Sequence, residues 1–168
     1  MSIEFRVPNC QTKSDKKLFG LCDDPSPAKN PAYIDETDGS KWIAVVENEN
    51  GFSIIFTAID NCIEIKSVDG KMEKRCDGML TYNSTVIFLE LKQRSAKGNA
   101  WVEDAEPQLK NTIIHFEKTE LSENFDKKQA FISNSEHPKF KTSQTGRMEK
   151  FYTDTKYILR IEARIKLR

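Results

Sequence analysis

The chain has 168 residues, and its 26 basic and 26 acidic side chains leave it with no net charge. That length suits one domain with a substantial core, and a hydrophobic content of 38% with ten phenylalanines excludes a disordered chain. No stretch approaches the roughly 20 apolar residues that a membrane span requires, and the N-terminus lacks the apolar segment of a signal peptide. We therefore expect a single-domain cytoplasmic protein that does not enter a membrane.

The charges are divided unevenly along the chain. Residues 1–126 hold 15 basic and 22 acidic side chains, whereas residues 127–168 hold 11 basic and 4 acidic ones. A basic C-terminal segment could face the phosphates of a nucleic acid, but an ordinary solvated surface explains the same distribution equally well.

The first part of the chain predicts an irregular arm followed by a hairpin. Residues 1–40 contain four prolines and many polar side chains, which indicates a loop-rich N-terminal arm with a short helical turn at residues 16–21. Residues 42–46 and 52–58 are apolar runs typical of strands. An Asn-Gly turn separates them, so we expect them to form a hairpin.

Residues 61–66 alternate between polar and apolar side chains and precede an Asp-Gly turn signal. They predict the first strand of a three-stranded core meander. Glu64 lies on this strand, next to the strand that carries Asp77, so it is a candidate auxiliary metal ligand. A solvent-facing glutamate on an edge strand is the alternative.

Residues 76–82 and 85–93 predict a second hairpin, because a two-residue polar turn separates them. With this turn at the centre, Asp77 faces Glu90 across the strand pair, and Lys92 shares their face of the sheet. The hairpin therefore gathers two carboxylates and an ammonium group on one face.

The surroundings of these charges favour a metal ion. The strand that carries Glu90 is a nearly continuous apolar run, typical of a strand covered on both faces, where adjacent carboxylates repel and are costly to bury. A divalent cation relieves both problems, and one or two carboxylates with water and phosphate suit Mg²⁺. A plain salt bridge of Lys92 with Glu90 or Asp77 is the other interpretation.

The same residues resemble a known motif. Asp77-Gly78 followed by Glu90-Leu91-Lys92 is similar to the core motif of the PD-(D/E)XK nuclease superfamily, without the proline that is often written before the aspartate. The resemblance covers residues 61–135. It implies an αβββαβ core, although no helix is evident in the sequence before the core strands.

The resemblance also implies a chemistry. Asp77, Glu90 and the backbone carbonyl of Leu91 would bind Mg²⁺, with Mn²⁺ as a substitute. Lys92 would orient or deprotonate the attacking water, or stabilise charge on the phosphorus.

Residues 100–118 place apolar side chains at spacings of three and four, which predicts an amphipathic helix. Proline is tolerated in a first helical turn, so Pro107 places the start of the main helix near Asp104. Gln108 resembles a glutamine that the RecB-like branch of the superfamily directs into its active site, and an exposed helix residue is the alternative. Thr112 stands where that branch has a tyrosine.

The remaining residues complete the sheet. Residues 128–134 predict a strand, so the preceding helix is a crossover between parallel strands. Residues 136–150 predict a basic loop, suited to a nucleic-acid backbone or to an ordinary surface. Residues 151–168 predict an added antiparallel C-terminal strand, half-buried because residues 157–168 alternate strictly. The basic loop contains His137, Lys139, Phe140, Lys141, Arg147 and Lys150.

The four cysteines are Cys10, Cys22, Cys62 and Cys76. Their separation lacks the close pairs of a zinc site, and a cytoplasmic protein keeps its thiols reduced. We therefore expect four free thiols.

Taken together, these patterns predict an α/β domain with a central mixed sheet, an extra N-terminal hairpin and a C-terminal antiparallel strand. The expected function is metal-dependent hydrolysis of DNA, with catalysis by Asp77, Glu90, Lys92 and Gln108. A homodimer or a partner protein would supply specificity. Two alternatives stay open: an inactive nuclease fold that binds nucleic acid, and a protein-interaction module.

Overall fold

The structure is a computed structural model that describes residues 3–25, 27–93, 100–136 and 144–168. These residues form ten strands and two α-helices. The strands are β1 (Gln11–Ser14), β2 (Leu18–Cys22), β3 (Tyr33–Asp35), β4 (Ala44–Glu47), β5 (Ile54–Ala58), β6 (Gly78–Tyr82), β7 (Thr85–Lys92), β8 (Lys127–Asn134), β9 (Ile158–Arg160) and β10 (Arg164–Lys166). The helices are α1 (Ala100–Glu117) and α2 (Thr145–Thr155).

The strands form two sheets. One has the order β1-β5-β6-β7-β8-β9, with antiparallel pairs from β1 to β7 and parallel pairs from β7 to β9. The other has the order β10-β4-β2-β3. The parallel pairing of β7 with β8 through α1 confirms the predicted crossover and the predicted mixed sheet.

An apolar core lies on each face of the six-stranded sheet, and β7 contributes to both. Val86 and Phe88 belong to the core under α1, while Ile87 and Leu89 belong to the core shared with the four-stranded sheet. Every residue of β7 except Lys92 is buried. The apolar run in this strand therefore reflects coverage on both faces, as predicted.

The hairpin of β6 and β7 has the predicted register. Its pairs run from Gly78 with Leu89 to Tyr82 with Thr85. The regular ladder ends at Gly78, directly after Asp77. The first candidate carboxylate therefore lies where the two strands begin to separate.

The predicted hairpin of residues 42–46 and 52–58 is wrong, because these strands belong to different sheets. β4 pairs with β2 and β10, whereas β5 lies between β1 and β6. The side chain of Asn48 explains the change of direction. It accepts a hydrogen bond from the Phe52 N–H at 3.0 Å and donates to the Phe52 carbonyl at 2.9 Å. This closed loop sends the chain from one sheet to the other.

The strand predicted at residues 61–66 is also wrong. The segment contains only an isolated bridge between Lys66 and Met72, and Ile63 and Ile65 are buried in the core under α1. β5 takes the expected place beside β6. The side chains of β5 fill the core between the sheets. Burying them stabilises the fold more than pairing residues 61–66 with β6 would.

The N-terminal arm is better ordered than predicted. Residues 1–40 contribute β1 to one sheet and β2 and β3 to the other, and the helical turn predicted at residues 16–21 is strand β2. Gly20 makes this strand possible, because a Cβ built there would lie 1.9 Å from Cγ of Trp42. The indole ring covers the bare backbone of β2.

α1 runs unbroken from Ala100 to Glu117 with Pro107 inside it, so a start near Asp104 is wrong. Proline removes one helical hydrogen bond. The buried residues on both sides of the proline offset that loss by holding the helix on β7 and β8. These buried residues are the predicted apolar face: Trp101, Val102, Ala105, Leu109, Thr112, Ile113 and Phe116.

The C-terminal residues alternate as predicted but pair differently. Buried and exposed positions alternate from residue 157 to residue 168. The predicted single antiparallel strand is replaced by two short ones, since β9 pairs parallel with β8 and β10 pairs parallel with β4. The segment therefore passes from one sheet to the other.

The predicted basic loop at residues 136–150 is partly helical. Arg147 and Lys150 lie on α2, where Arg147 forms an ion pair with Glu106 of α1. The other members of this group fall outside the described residues: His137, Lys139, Phe140 and Lys141.

Two of the four cysteines form a disulfide, so the expectation of four free thiols is wrong. Cys10 and Cys62 are bonded with their Cα atoms 5.9 Å apart, while Cys22 and Cys76 are buried free thiols. The partners are 52 residues apart, and no local pattern indicates such a pairing. Because disulfides are rare in reducing compartments, this bond weighs against the predicted cytoplasmic location.

Neither described helix combines the length and the apolar character that crossing a membrane requires.

Candidate active site

The candidate site lies at the point where β6 and β7 separate. Asp77 directly precedes β6, while Glu90 and Lys92 lie at the carboxyl end of β7. Lys92 Nζ is 3.2 Å from Glu90 Oε2. Asp77 is 8% exposed and Glu90 is 1% exposed, so both acids are buried next to a cation.

The carboxylate of Asp77 is fixed by the backbone of β7. The Asp77 N–H donates to the Leu89 carbonyl at 3.1 Å, and Oδ2 of its carboxylate accepts the Leu91 N–H at 2.7 Å. In a continued ladder, Leu91 would bond to the backbone of residue 76. A side-chain oxygen takes that place and holds the Asp77 carboxylate one residue from Glu90.

Gln108 reaches the site from α1. With its amide oriented to donate, its side-chain nitrogen lies 2.9 Å from Oε1 of Glu90 and 2.8 Å from Oε2. The helix residue therefore contacts the buried acid, as the resemblance implies, and does not point into solvent. Together with Lys92, it gives Glu90 two partners.

Burial shifts the protonation of both acids. It raises the pKa of Asp77 to about 7, with Asp23 adding to the shift and the Leu91 N–H and Lys92 opposing it. Burial also raises the pKa of Glu90 well above its usual range, Asp77 adds to this shift, and Lys92 opposes it. The effect of Asp77 on Glu90 shows that the two acids interact. A bound cation would stabilise both anions.

Two acids near this site escape the sequence analysis. Asp60 follows β5, where its N–H donates to the Cys76 carbonyl at 3.1 Å and its Oδ1 lies 3.1 Å from Nη2 of Arg75. Asp23 follows β2, and burial together with Asp60 raises its pKa to about 6. Each lies within two residues of the end of an apolar strand, which is a usable signal. The sequence does not point to these acids because residues 61–66 are the predicted neighbour of residues 76–82 and residues 1–40 are predicted to form an arm.

Glu64 lies apart from this group. Its side chain is 72% exposed and forms an ion pair with Lys66 at 3.3 Å. Since no strand forms at residues 61–66, nothing carries Glu64 towards Asp77. The structure supports the alternative of a solvent-facing glutamate.

The donor atoms fit a hard divalent cation. Across the described parts of the chain, no three or more histidine, cysteine or acidic side chains are grouped to hold a metal ion. A metal here would therefore take two protein carboxylates, from Asp77 and Glu90, with water and substrate oxygens completing its shell. Mg²⁺ is commonly bound through one or two carboxylates in this way.

No protein-family model, curated protein or solved structure matches the chain. The resemblance to PD-(D/E)XK nucleases therefore depends on the residues of this site and on how they are arranged.

An Asp77→Asn variant is expected to be more stable than the parent at pH 8 without divalent metal, by about 4 kcal/mol. The folded state raises the pKa of Asp77 from 3.8 to about 7, so it keeps a proton that the unfolded chain releases. Stability of the parent therefore falls as the pH rises from about 4 to about 7. Asparagine does not ionise, and it keeps an oxygen for the Leu91 N–H. Urea unfolding in EDTA at pH 5 and pH 8 measures the difference.

The control for this measurement is Asp15→Asn, which changes an exposed carboxyl and should give no gain. Equal stability of Asp77→Asn and the parent at pH 8 would show that Asp77 is not held in an unfavourable charged form.

Proposed function

We propose that the chain is a metal-dependent nuclease of the PD-(D/E)XK type that hydrolyses phosphodiester bonds in DNA. The observation that carries the proposal is the meeting of Asp77, Glu90, Lys92 and Gln108 where β6 and β7 separate. Two buried acids with raised pKa values lie beside one lysine at the end of the largely apolar strand β7. A structural ion pair would need only one of these acids, because burying a second carboxylate costs stability.

The order of elements supports the same proposal. β5, β6 and β7 are consecutive antiparallel strands, and α1 then leads to the parallel strand β8. The superfamily core also has three strands, a helix and a strand. The opening helix of that core has no counterpart before β5 in the described residues, where helical structure is limited to the 3-10 turns Pro8–Cys10 and Gly39–Lys41.

The metal would be held by Asp77, Glu90 and the carbonyl of Leu91. When bound, Mg²⁺ or Mn²⁺ polarises the scissile phosphate and lowers the pKa of a coordinated water. Gln108 donates to both oxygens of Glu90 and so keeps its carboxylate in one orientation. This orientation leaves the acid ready to bind a cation without rearrangement of the helix.

Lys92 is the candidate for the proton and charge chemistry. Its side chain is 13% exposed, compared with 1% for Glu90, so its ammonium lies between the buried acid and the exterior. From there the ammonium would orient the attacking water or stabilise the charge that develops on the phosphate, whereas the neutral amine form of Lys92 would be the one to accept a proton from that water.

A nucleic-acid substrate is supported by a basic residue at this edge of the sheet. β7, β8 and β9 run parallel, so their carboxyl ends point to the same edge. β9 ends in the exposed Arg160. A cation at this position would contact the phosphate backbone of a substrate that lies across the site.

Purified protein is expected to nick or linearise supercoiled plasmid DNA with Mg²⁺ or Mn²⁺ and to leave it intact in EDTA. Asp77→Asn prepared in the same way controls for contaminating nucleases and should be inactive with either metal. Salt-dependent DNA binding without cleavage would instead support an inactive nucleic-acid-binding module. The absence of both DNA binding and DNA cleavage would support a protein-interaction module.

A further inference from the structure

The hydroxyl of Thr112 connects the strand and the helix that carry the candidate site. Thr112 lies on α1 and is 0% exposed. Its Oγ1 accepts the Cys76 N–H at 2.8 Å and donates to the Gln108 carbonyl, one turn earlier in the helix, at 2.9 Å. One buried group therefore contacts both the residue before Asp77 and the residue whose side chain reaches Glu90.

The bond from Cys76 explains why the ladder opens at this point. The register of β6 and β7, if continued, would pair Cys76 with Leu91. The Cys76 N–H instead bonds to Thr112, and the Cys76 carbonyl accepts the Asp60 N–H at 3.1 Å. The Leu91 N–H therefore has no backbone partner on residue 76, and it donates to the Asp77 carboxylate instead. Both backbone groups of Cys76 and the N–H of Leu91 thus have substitute partners, and the partner of the Leu91 N–H is a side chain of the candidate site.

We propose that Thr112 is a positioning residue of the nuclease site: its hydroxyl draws Cys76 away from Leu91, so that the Asp77 carboxylate is seated beside Glu90. This inference rests on the proposed function, since its consequence is a preformed pair of metal-binding acids. The same hydroxyl fixes the helical turn that carries Gln108. The Thr112 hydroxyl therefore fixes the positions of both Asp77 and Gln108 relative to Glu90.

Thr112→Val tests the proposal because it removes the hydroxyl and nearly preserves the volume. Without its partner, the buried Cys76 N–H is expected to return to Leu91 and to displace the Asp77 carboxylate. The Leu91 amide signal in a ¹⁵N-correlated NMR spectrum should then shift as it does in Asp77→Ala, which removes the acceptor of the Leu91 N–H. Calorimetry should show Mn²⁺ binding weakened about tenfold or more. Thr112→Ser keeps the hydroxyl and should retain the amide signal and the affinity of the parent.

The matched control is Thr57→Val. Thr57 is also 0% exposed, but its hydroxyl has no hydrogen-bond partner among the described residues, so its loss should change neither measurement. A Thr112→Val protein with the Leu91 amide and the Mn²⁺ affinity of the parent would overturn the proposal. If Thr112→Val does not fold, a Thr112→Ser protein that shifts both measurements would overturn it as well.

The two readouts also separate this proposal from the proposed function. A parent protein that neither binds Mn²⁺ nor cleaves DNA would contradict the nuclease function. The Leu91 amide would still report whether Thr112 seats the Asp77 carboxylate, because that measurement requires no metal.

Discussion

A Lys92→Ala variant is expected to keep its fold and to cleave DNA about a thousandfold more slowly than the parent. The ammonium of Lys92 lies 3.2 Å from Glu90 and opposes the raised pKa values of both Glu90 and Asp77. Its loss removes both a group for proton transfer and a charge close to the reacting phosphate. Initial rates of plasmid cleavage with saturating Mg²⁺ measure the effect.

The fold is expected to survive because Glu90 has another way to avoid an unpaired charge. Burial already raises its pKa well above the usual range, so the acid can bind a proton when its lysine is removed. The Gln108 amide still contacts the carboxyl group. Circular dichroism and thermal unfolding would confirm that a loss of rate is not a loss of structure.

The chain contains a matched control for this variant. Glu64 and Lys66 have the same spacing as Glu90 and Lys92 and form an ion pair at 3.3 Å, but both side chains are exposed. Lys66→Ala should therefore cleave DNA at the rate of the parent. A Lys92→Ala protein that cleaves DNA as fast as the parent would show that Lys92 has no role in the mechanism. A Lys92→Arg variant would separate the need for a positive charge from the need for proton transfer.

Loss of the disulfide between Cys10 and Cys62 is expected to lower the free energy of unfolding by about 4 kcal/mol. The bond joins residues 52 apart in the sequence, and a cross-link over a loop of that length restricts the unfolded chain strongly. Urea unfolding with and without a thiol reductant measures the loss. The Cys10→Ser/Cys62→Ser double variant should be as unstable as the reduced parent and should not respond to the reductant.

The disulfide also lies close to the candidate site. Cys62 belongs to a turn in which the Ile59 N–H donates to the Asp77 carbonyl at 2.9 Å and the Asp60 N–H donates to the Cys76 carbonyl at 3.1 Å. We therefore expect the loss of stability to be accompanied by faster hydrogen exchange at Ile59 and Asp60. Identical unfolding midpoints in oxidised and reduced protein would contradict a stabilising role for the bond.

The features that could be predicted from the sequence depend on residues close together in the chain. The register of β6 and β7 follows from a two-residue turn and the two-residue period of a strand, and it brings Asp77 to the end of the ladder, next to Gly78 and Leu89. The apolar face of α1 follows from its spacing, which also placed Gln108 on the helix. The alternation of residues 157–168 correctly gave the burial of every position, although not their partners.

The features that could not be predicted depend on competition between distant segments. Residues 54–58 and 61–66 are both plausible neighbours of β6. Residues 54–58 take that place because their side chains are buried in the core between the sheets, which the sequence does not reveal. The nearness of Asp60 to Asp77 follows from that choice, and so does the contact between Cys10 and Cys62. Thr112 looked like one more residue on an apolar helix face. Its hydroxyl acquires a role only because the β6–β7 ladder ends under it.

The burial of β7 on both faces limits how this molecule can diverge. A strand whose side chains serve two cores tolerates few substitutions, and Glu90 and Lys92 belong to this strand. The spatial relation between acid and amine should therefore be inherited almost unchanged by descendants of this gene. New substrate preferences would arise through exposed connecting segments, where sequence can drift without disturbing either core.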